Sequence, residues 1–122
     1  MLITRQYLEE HPDHIFVFGD NELHTGKGGA AALRDMQNTY GFVTKKRPCN
    51  QDVCFYRPDE YMAIYLDEIG ILARYIALSP DKTFLISKVG AGLANRFGIF
   101  EVVIEPRIKN DLRGLGNVRF LW

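Results

Sequence analysis

The sequence predicts an α/β fold built as one domain over residues 1–122. Short runs of β-branched and aromatic residues alternate with stretches of helical periodicity, and this alternation is the first ground for the prediction. The second is size: 122 residues with 47% apolar content fill a single core and fall short of two. The third is continuity, because no low-complexity linker or internal repeat divides the chain.

His14-Ile15-Phe16-Val17-Phe18-Gly19 is nearly all apolar, as expected of a strand covered on both faces near the centre of a sheet. Gly28 to Gln37 reads as a helix in which Ala30, Ala31, Leu33 and Met36 share a buried side while Arg34 and Asp35 stay in water. Gly41 fits a turn, Phe42-Val43-Thr44 a short strand, and Lys45 to Pro58 a polar loop. From Asp59 to Leu78, the residues Met62, Tyr65, Leu66, Ile69, Leu72, Ala73 and Ile76 recur at steps of three and four, which predicts the longest helix. Asp59 and Glu60 in its first turn complement the helix dipole. Ser79-Pro80-Asp81-Lys82 is turn chemistry, and Thr83 to Ser87 follows as another covered strand. Ile99 to Leu112 is helical in pattern, with Pro106 either kinking it or splitting it in two. Asn117 to Trp122 forms a terminal strand whose Trp122 anchors the chain end.

Fifteen Lys and Arg balance fifteen Asp and Glu, so no overall field draws the protein to nucleic acid or to an anionic membrane. Apolar runs are short, and Met1 to Arg5 lack the hydrophobic block of a signal peptide, which leads us to expect a soluble, cytoplasmic protein. In that setting Cys49 and Cys54 are expected as reduced thiols in or near a loop. His11, His14 and His24 lack the companion ligands of a metal site and read as surface turn residues, so no metal and no cofactor is expected.

Six of the eleven glycines fall in two clusters, each just after a predicted strand. In open α/β sheets, ligands collect at the carboxyl ends of strands, where backbone N–H groups of the following loop are free to meet an anion. The first cluster runs from Phe18 to Ala31, and its stretch Gly26-Lys27-Gly28-Gly29-Ala30-Ala31 lacks the side-chain bulk that would hold a phosphate away and places the Lys27 charge beside the backbone. It has neither the spacing nor the Lys-Ser/Thr pair of a P-loop, and it does not follow the dinucleotide Gly-x-Gly-x-x-Gly order. The second cluster, Ser87-Lys88-Val89-Gly90-Ala91-Gly92-Leu93-Ala94-Asn95-Arg96-Phe97-Gly98, is a smooth ribbon suited to covering a diphosphate from the other side.

These stretches resemble the macro domain, the ADP-ribose-binding α/β module, and more closely a branch of small phage and bacterial macro-like proteins. The resemblance lies in Val17 to Asn21, in Gly26 to Ala30 and in Val89 to Leu93, with Asn117 to Trp122 similar to the closing strand. It implies a three-layer α/β/α arrangement around a central mixed sheet. It also implies a nucleotide ligand of the ADP-ribose kind, free or carried on a macromolecule. By position, Asn21 corresponds to the asparagine near the distal ribose, Gly28, Gly29 and Ala30 to the first phosphate loop, and Gly90, Ala91 and Gly92 to the second. Gly19, Gly26, Lys45, Val89 and Leu93 complete the expected lining. The aspartate with which that family holds adenine has no counterpart in Met1 to Thr4.

Hydrolysis of an ADP-ribosyl bond would draw on Asp20, Asn21 and Lys27, with His24 also near and Lys45 as an alternative lysine. Asp20 equally suits a turn carboxylate that accepts backbone N–H bonds, and Asn21 a turn cap. Two non-catalytic functions compete with hydrolysis. One is sequestration or sensing of a nucleotide signal. The other is a protein or nucleic-acid interaction domain using the basic loop Lys45, Lys46, Arg47 and Arg57 beside Phe55 and Tyr56.

Overall fold

The computed structural model describes residues 2–122. In chain order it comprises α1 (Arg5–Glu10), β1 (His14–Asn21), a 3-10 turn (Gly29–Leu33), β2 (Thr39–Lys45), a second 3-10 turn (Asp52–Cys54) and α2 (Pro58–Ala77). There follow β3 (Thr83–Ile86), a π-helical turn (Phe100–Ile104), α3 (Ile108–Asp111) and β4 (Val118–Phe120). The fold is α/β. Its four-stranded sheet has the order β2-β1-β3-β4 and is parallel throughout, so the expected mixed sheet is corrected. Every connection is a crossover, which is what forces the parallel sense.

Alternate residues of the inner strands serve opposite faces. Ile15 and Val17 of β1 with Phe84 and Ile86 of β3 pack against Tyr61, Tyr65, Ile69, Leu72 and Ile76 of α2 and against Phe100, Val103, Ile104 and Ile108. Phe16, Phe18 and Leu85 turn the other way and meet Ile3, Leu8 and Ala31 in a smaller cluster. The α2 stripe differs from the expected one by one column: Tyr61 is fully buried, whereas Leu66 is 57% exposed. Pro58 occupies the first helical turn, where its missing N–H is harmless, and Glu60 Oε1 accepts from Arg57 N at 2.8 Å.

Three further expectations are corrected, and one helix is added. Gly28 to Gln37 is not a continuous helix but a five-residue 3-10 turn followed by further turns, because the chain must bring Arg34 back to the end of β1. Gly41 is not a turn residue; it lies inside β2 opposite Phe18. A side chain there would collide with the Asp20 carboxylate, so glycine is required by close approach. Cys49 and Cys54 are not free thiols but a disulfide with Cα atoms 5.8 Å apart, since the 3-10 turn over Asp52–Cys54 folds the chain back on itself. The six-residue α1, capped by Thr4 Oγ1 accepting from Tyr7 N at 3.1 Å, has no counterpart in the sequence reading.

Of the two outcomes left open for Pro106, the observed one is a split. The chain leaves the π-helical turn, with Glu105 N donating to Phe100 O, and restarts at Ile108. Trp122 packs edge-on against Phe100 and Phe120. Among the described residues, no helix is long and apolar enough to cross a membrane.

Gly41→Ala is expected to lower the unfolding free energy by about 1–3 kcal/mol through overpacking against Asp20. Gly70→Ala, on the exposed side of α2 with open space around it, is expected to raise it by roughly 0.5–1 kcal/mol. Urea denaturation of both variants checks the pair, and equal effects would contradict the close-approach assignment.

Candidate functional site

Strand order decides where a site forms. After β1 the chain crosses to β2 on one side, and after β3 it crosses to β4 on the other, so the loops leaving β1 and β3 diverge and open a crevice at the carboxyl ends of these neighbouring strands. Both glycine clusters occupy this position. Together they line one cleft of about 590 Å³.

The floor is the end of β1. A Cβ added at Gly19 would lie 3.2 Å from Thr44 Oγ1 and 3.6 Å from Gly90 N, so β1, β2 and the loop after β3 converge on one point. Gly90 has φ +81°, and a side chain there would press on Ile104 Cδ1 at 2.5 Å. Only glycine meets both conditions. The two loops face each other directly, because a Cβ on Gly28 would touch Leu93 Cδ1 at 3.9 Å. Among the described residues, the backbone N–H groups of Gly28, Gly90 and Gly92 donate to no protein oxygen.

Beneath the first loop lies a buried carboxylate. Asp20, with 2% of its side chain exposed, accepts from Arg34 Nη1 at 3.0 Å and from Arg34 Nη2 at 2.7 Å. Asn21 N donates to it at 2.8 Å, and His24 Nδ1 lies 2.7 Å from its Oδ2. Burial by itself raises the Asp20 pKa, but the hydrogen bonds from Arg34, His24 and the Asn21 amide outweigh it and hold the carboxyl below its ordinary value. The same Arg34 donates to Gly26 O at 2.8 Å and Thr25 O at 3.1 Å. It thereby ties the loop to the strand end. Asn21 closes the loop from the other side, its Nδ2 donating to Thr25 O at 2.7 Å and its Oδ1 accepting from Leu23 N at 3.0 Å.

The expected site residues are brought together with one exception. Gly19, Asp20, Asn21, Gly26 and Lys27 line the cleft, as do Gly28, Gly29, Ala30 and Lys45, and on the far side Val89, Gly90, Gly92 and Leu93. Ala91 does not; it packs against the core. Of the three residues proposed for chemistry, Asp20 and Asn21 are engaged in holding the loop, and the exposed Lys27 is unencumbered. His24 holds Asp20 but does not itself line the cleft, and 61% of its side chain is exposed.

Arg34, Pro48 and Asn50 line the cleft without having been expected there, and Thr44 lines it beside the expected Lys45. Ser87 and Lys88, which open the second glycine cluster, line the cleft as well. The amphipathic helix that would leave Arg34 in water does not form, and the Arg34 side chain is only 17% exposed.

The cleft is cationic. Lys27, Arg34, Lys45 and Lys88 line it against the single carboxylate of Asp20, which Arg34 neutralises. Among the described residues, Lys27, Lys45 and Lys88 enter no ion pair. Lys45 Nζ lies 4.6 Å from the centre of the Phe55 ring, and partial burial together with the nearby Arg96 lowers its pKa from the ordinary value. Among the described residues, no group of three or more His, Cys, Asp or Glu is arranged to hold a metal ion.

Residues 1–77 match the family model DUF7831, a family of unknown function. The chain belongs to this family. The matched span contains the first glycine loop, the disulfide loop and α2, while the second glycine loop lies beyond it. No curated protein and no solved structure matches the chain.

Breaking the buried pair with Arg34→Met is expected to cost about 3 kcal/mol, near the lower end for buried pairs because Arg34 is partly exposed. Asp20 has a depressed folded pKa, so its stabilisation is fully present above the ordinary carboxyl range and is lost as pH falls through the lower folded value. Asp20→Asn should therefore flatten the acid limb of stability below roughly pH 4. Urea titrations at pH 7 and across pH 2–5 measure both effects, and an unchanged acid limb would count against the paired carboxylate.

Proposed function

We propose that the cleft binds ADP-ribose or a related NAD-derived nucleotide diphosphate, free or carried on a macromolecule. The observation that supports this most is the meeting of the two glycine loops at the β1–β3 crevice under a rim of unpaired lysines. Unsatisfied backbone N–H groups on facing loops suit the oxygens of two linked phosphates, and Lys27, Lys45 and Lys88 offer the balancing charge. A volume near 590 Å³ lies in the usual range for small-molecule sites. The macro-like motifs at Val17–Asn21, Gly26–Ala30 and Val89–Leu93 support the same reading, and we interpret the two packed faces of the sheet as the three-layer plan of that fold.

Binding without turnover is the form of the proposal that fits the side chains best. Asp20 has its oxygens occupied by Arg34, His24 and Asn21 N, and Asn21 spends its amide on Leu23 and Thr25. Neither is available to activate water, which favours sequestration or sensing over hydrolysis of an ADP-ribosyl bond.

One observation favours a second reading, an interface for nucleic acid on the basic loop. Arg96 stacks over Phe55 at 4.0 Å and Arg57 over Phe97 at 4.1 Å, presenting two guanidinium planes beside the cleft on which bases would stack.

Calorimetry with free ADP-ribose should give saturable heat, weakened about tenfold or more by Lys45→Glu or Lys88→Glu. No product should form from ADP-ribosylated protein or nucleic acid, and release of ADP-ribose would restore the hydrolase. Absence of heat with ADP-ribose, alongside oligonucleotide binding that falls steeply with salt, would select the second reading.

A further inference from the structure

We infer that ligand binding in this cleft is under redox control through the Cys49–Cys54 disulfide; the inference rests on the nucleotide-binding reading above. The disulfide closes a ring that holds Asn50, Gln51, Asp52 and Val53 between its cysteines. Its two ends differ in environment. Cys54 is buried, with 2% exposure, and is fixed in the body of the protein, where its carbonyl accepts from Lys46 N at 2.9 Å and Phe55 follows it into the interior. Cys49 is only half-buried and stands between two exposed residues, Pro48 and Asn50, that form one wall of the cleft.

That wall abuts the first glycine loop: a Cβ on Gly26 would touch Pro48 Cβ at 3.5 Å. The remaining ties of this stretch are weak. The Arg96–Asp52 ion pair at 2.9 Å is solvent-exposed on both sides, and such pairs contribute little. The Cys54 N to Gln51 O bond lies within the ring and the Phe55 N to Asp52 O bond ties it to the buried residue that follows, and neither attaches Pro48 or Asn50 to anything else. The Lys46 N to Cys54 O bond pins the base of the loop, and beyond that base the covalent link at Cys49 is what fixes this wall against the loop that would receive the phosphates.

Opening it is ordinary thiol–disulfide exchange with a dithiol reductant. A reductant thiolate attacks Sγ of the accessible Cys49, forming a mixed disulfide, and Cys54 leaves as a thiolate that takes up a proton. The second reductant thiol then displaces Cys49, which is protonated in turn. Two electrons and two protons pass from the dithiol to the protein, leaving two cysteine thiols and one cyclic disulfide of the reductant. The wall carrying Pro48 and Asn50 then loses its anchor, and binding must first order it.

The test is calorimetry with ADP-ribose on the oxidised protein, on the same protein after dithiothreitol with two free thiols confirmed by titration, and on Cys49→Ser. The expected result is affinity about tenfold lower after reduction, an equally weak Cys49→Ser that does not respond to dithiothreitol, and recovery of wild-type affinity on reoxidation. The reduction arm needs no substitution, so a failure of Cys49→Ser to fold leaves it intact. Equal affinity of the oxidised and reduced protein, or tighter binding by the reduced form, would overturn redox control while leaving the nucleotide site standing. Absence of binding in every state overturns the nucleotide reading and the redox inference with it. A protein whose two thiols resist oxidation by glutathione disulfide also overturns the inference.

Discussion

The carboxylate of Asp20 is the constraint on which this molecule's upper rim depends. It sits at the end of β1, buried beneath a glycine on β2, and collects donors from Arg34, His24 and the next backbone amide. A charge in that position is tolerable only if it is fully paired. Satisfying it draws the following segment back across the strand end, and this return path is why the first glycine loop is a compact turn. Arg34 spans the gap between strand and loop, so one ion pair sets both the fold and the shape of the cleft.

Topology supplies the other half of the site. A parallel sheet with order β2-β1-β3-β4 diverges between β1 and β3, and the second glycine loop arrives there because Gly19 and Gly90 leave room for close passage. What results is a cleft whose lysines enter no ion pair among the described residues and whose lining carboxylate, Asp20, is already neutralised. Such a field favours an anionic guest at short range while the molecule as a whole carries no net charge. The charge that matters is local, and the overall balance conceals it.

Much of this was legible in the amino-acid order, for identifiable reasons. β1, β3 and α2 announced themselves because burial on both faces or along one stripe leaves a strong local pattern, and the clustering of glycines after strands located the cleft. Features set by distant partners were not legible. Gly41 looked like a turn because glycine usually marks one, whereas here it is needed to clear Asp20. The helix read at Gly28–Gln37 lost to the requirement that Arg34 reach back to that same carboxylate. The parallel sense of the sheet depends on pairings that no window of sequence contains. The two cysteines of the disulfide, by contrast, stand only five positions apart and are hidden by something else, the expectation of reduced thiols in a cytoplasmic protein. The short α1 buries only Leu8, too little to leave a periodic signal.

The most direct test of the central claim is a nuclear magnetic resonance titration of the isotopically labelled protein with ADP-ribose, followed at the glycine backbone amides. If the two loops hold one diphosphate, the resonances of Gly26, Gly28 and Gly29 move together with those of Gly90 and Gly92, along curves that share one dissociation constant. Movement of only one group, or of neither, would contradict a site shared between the loops.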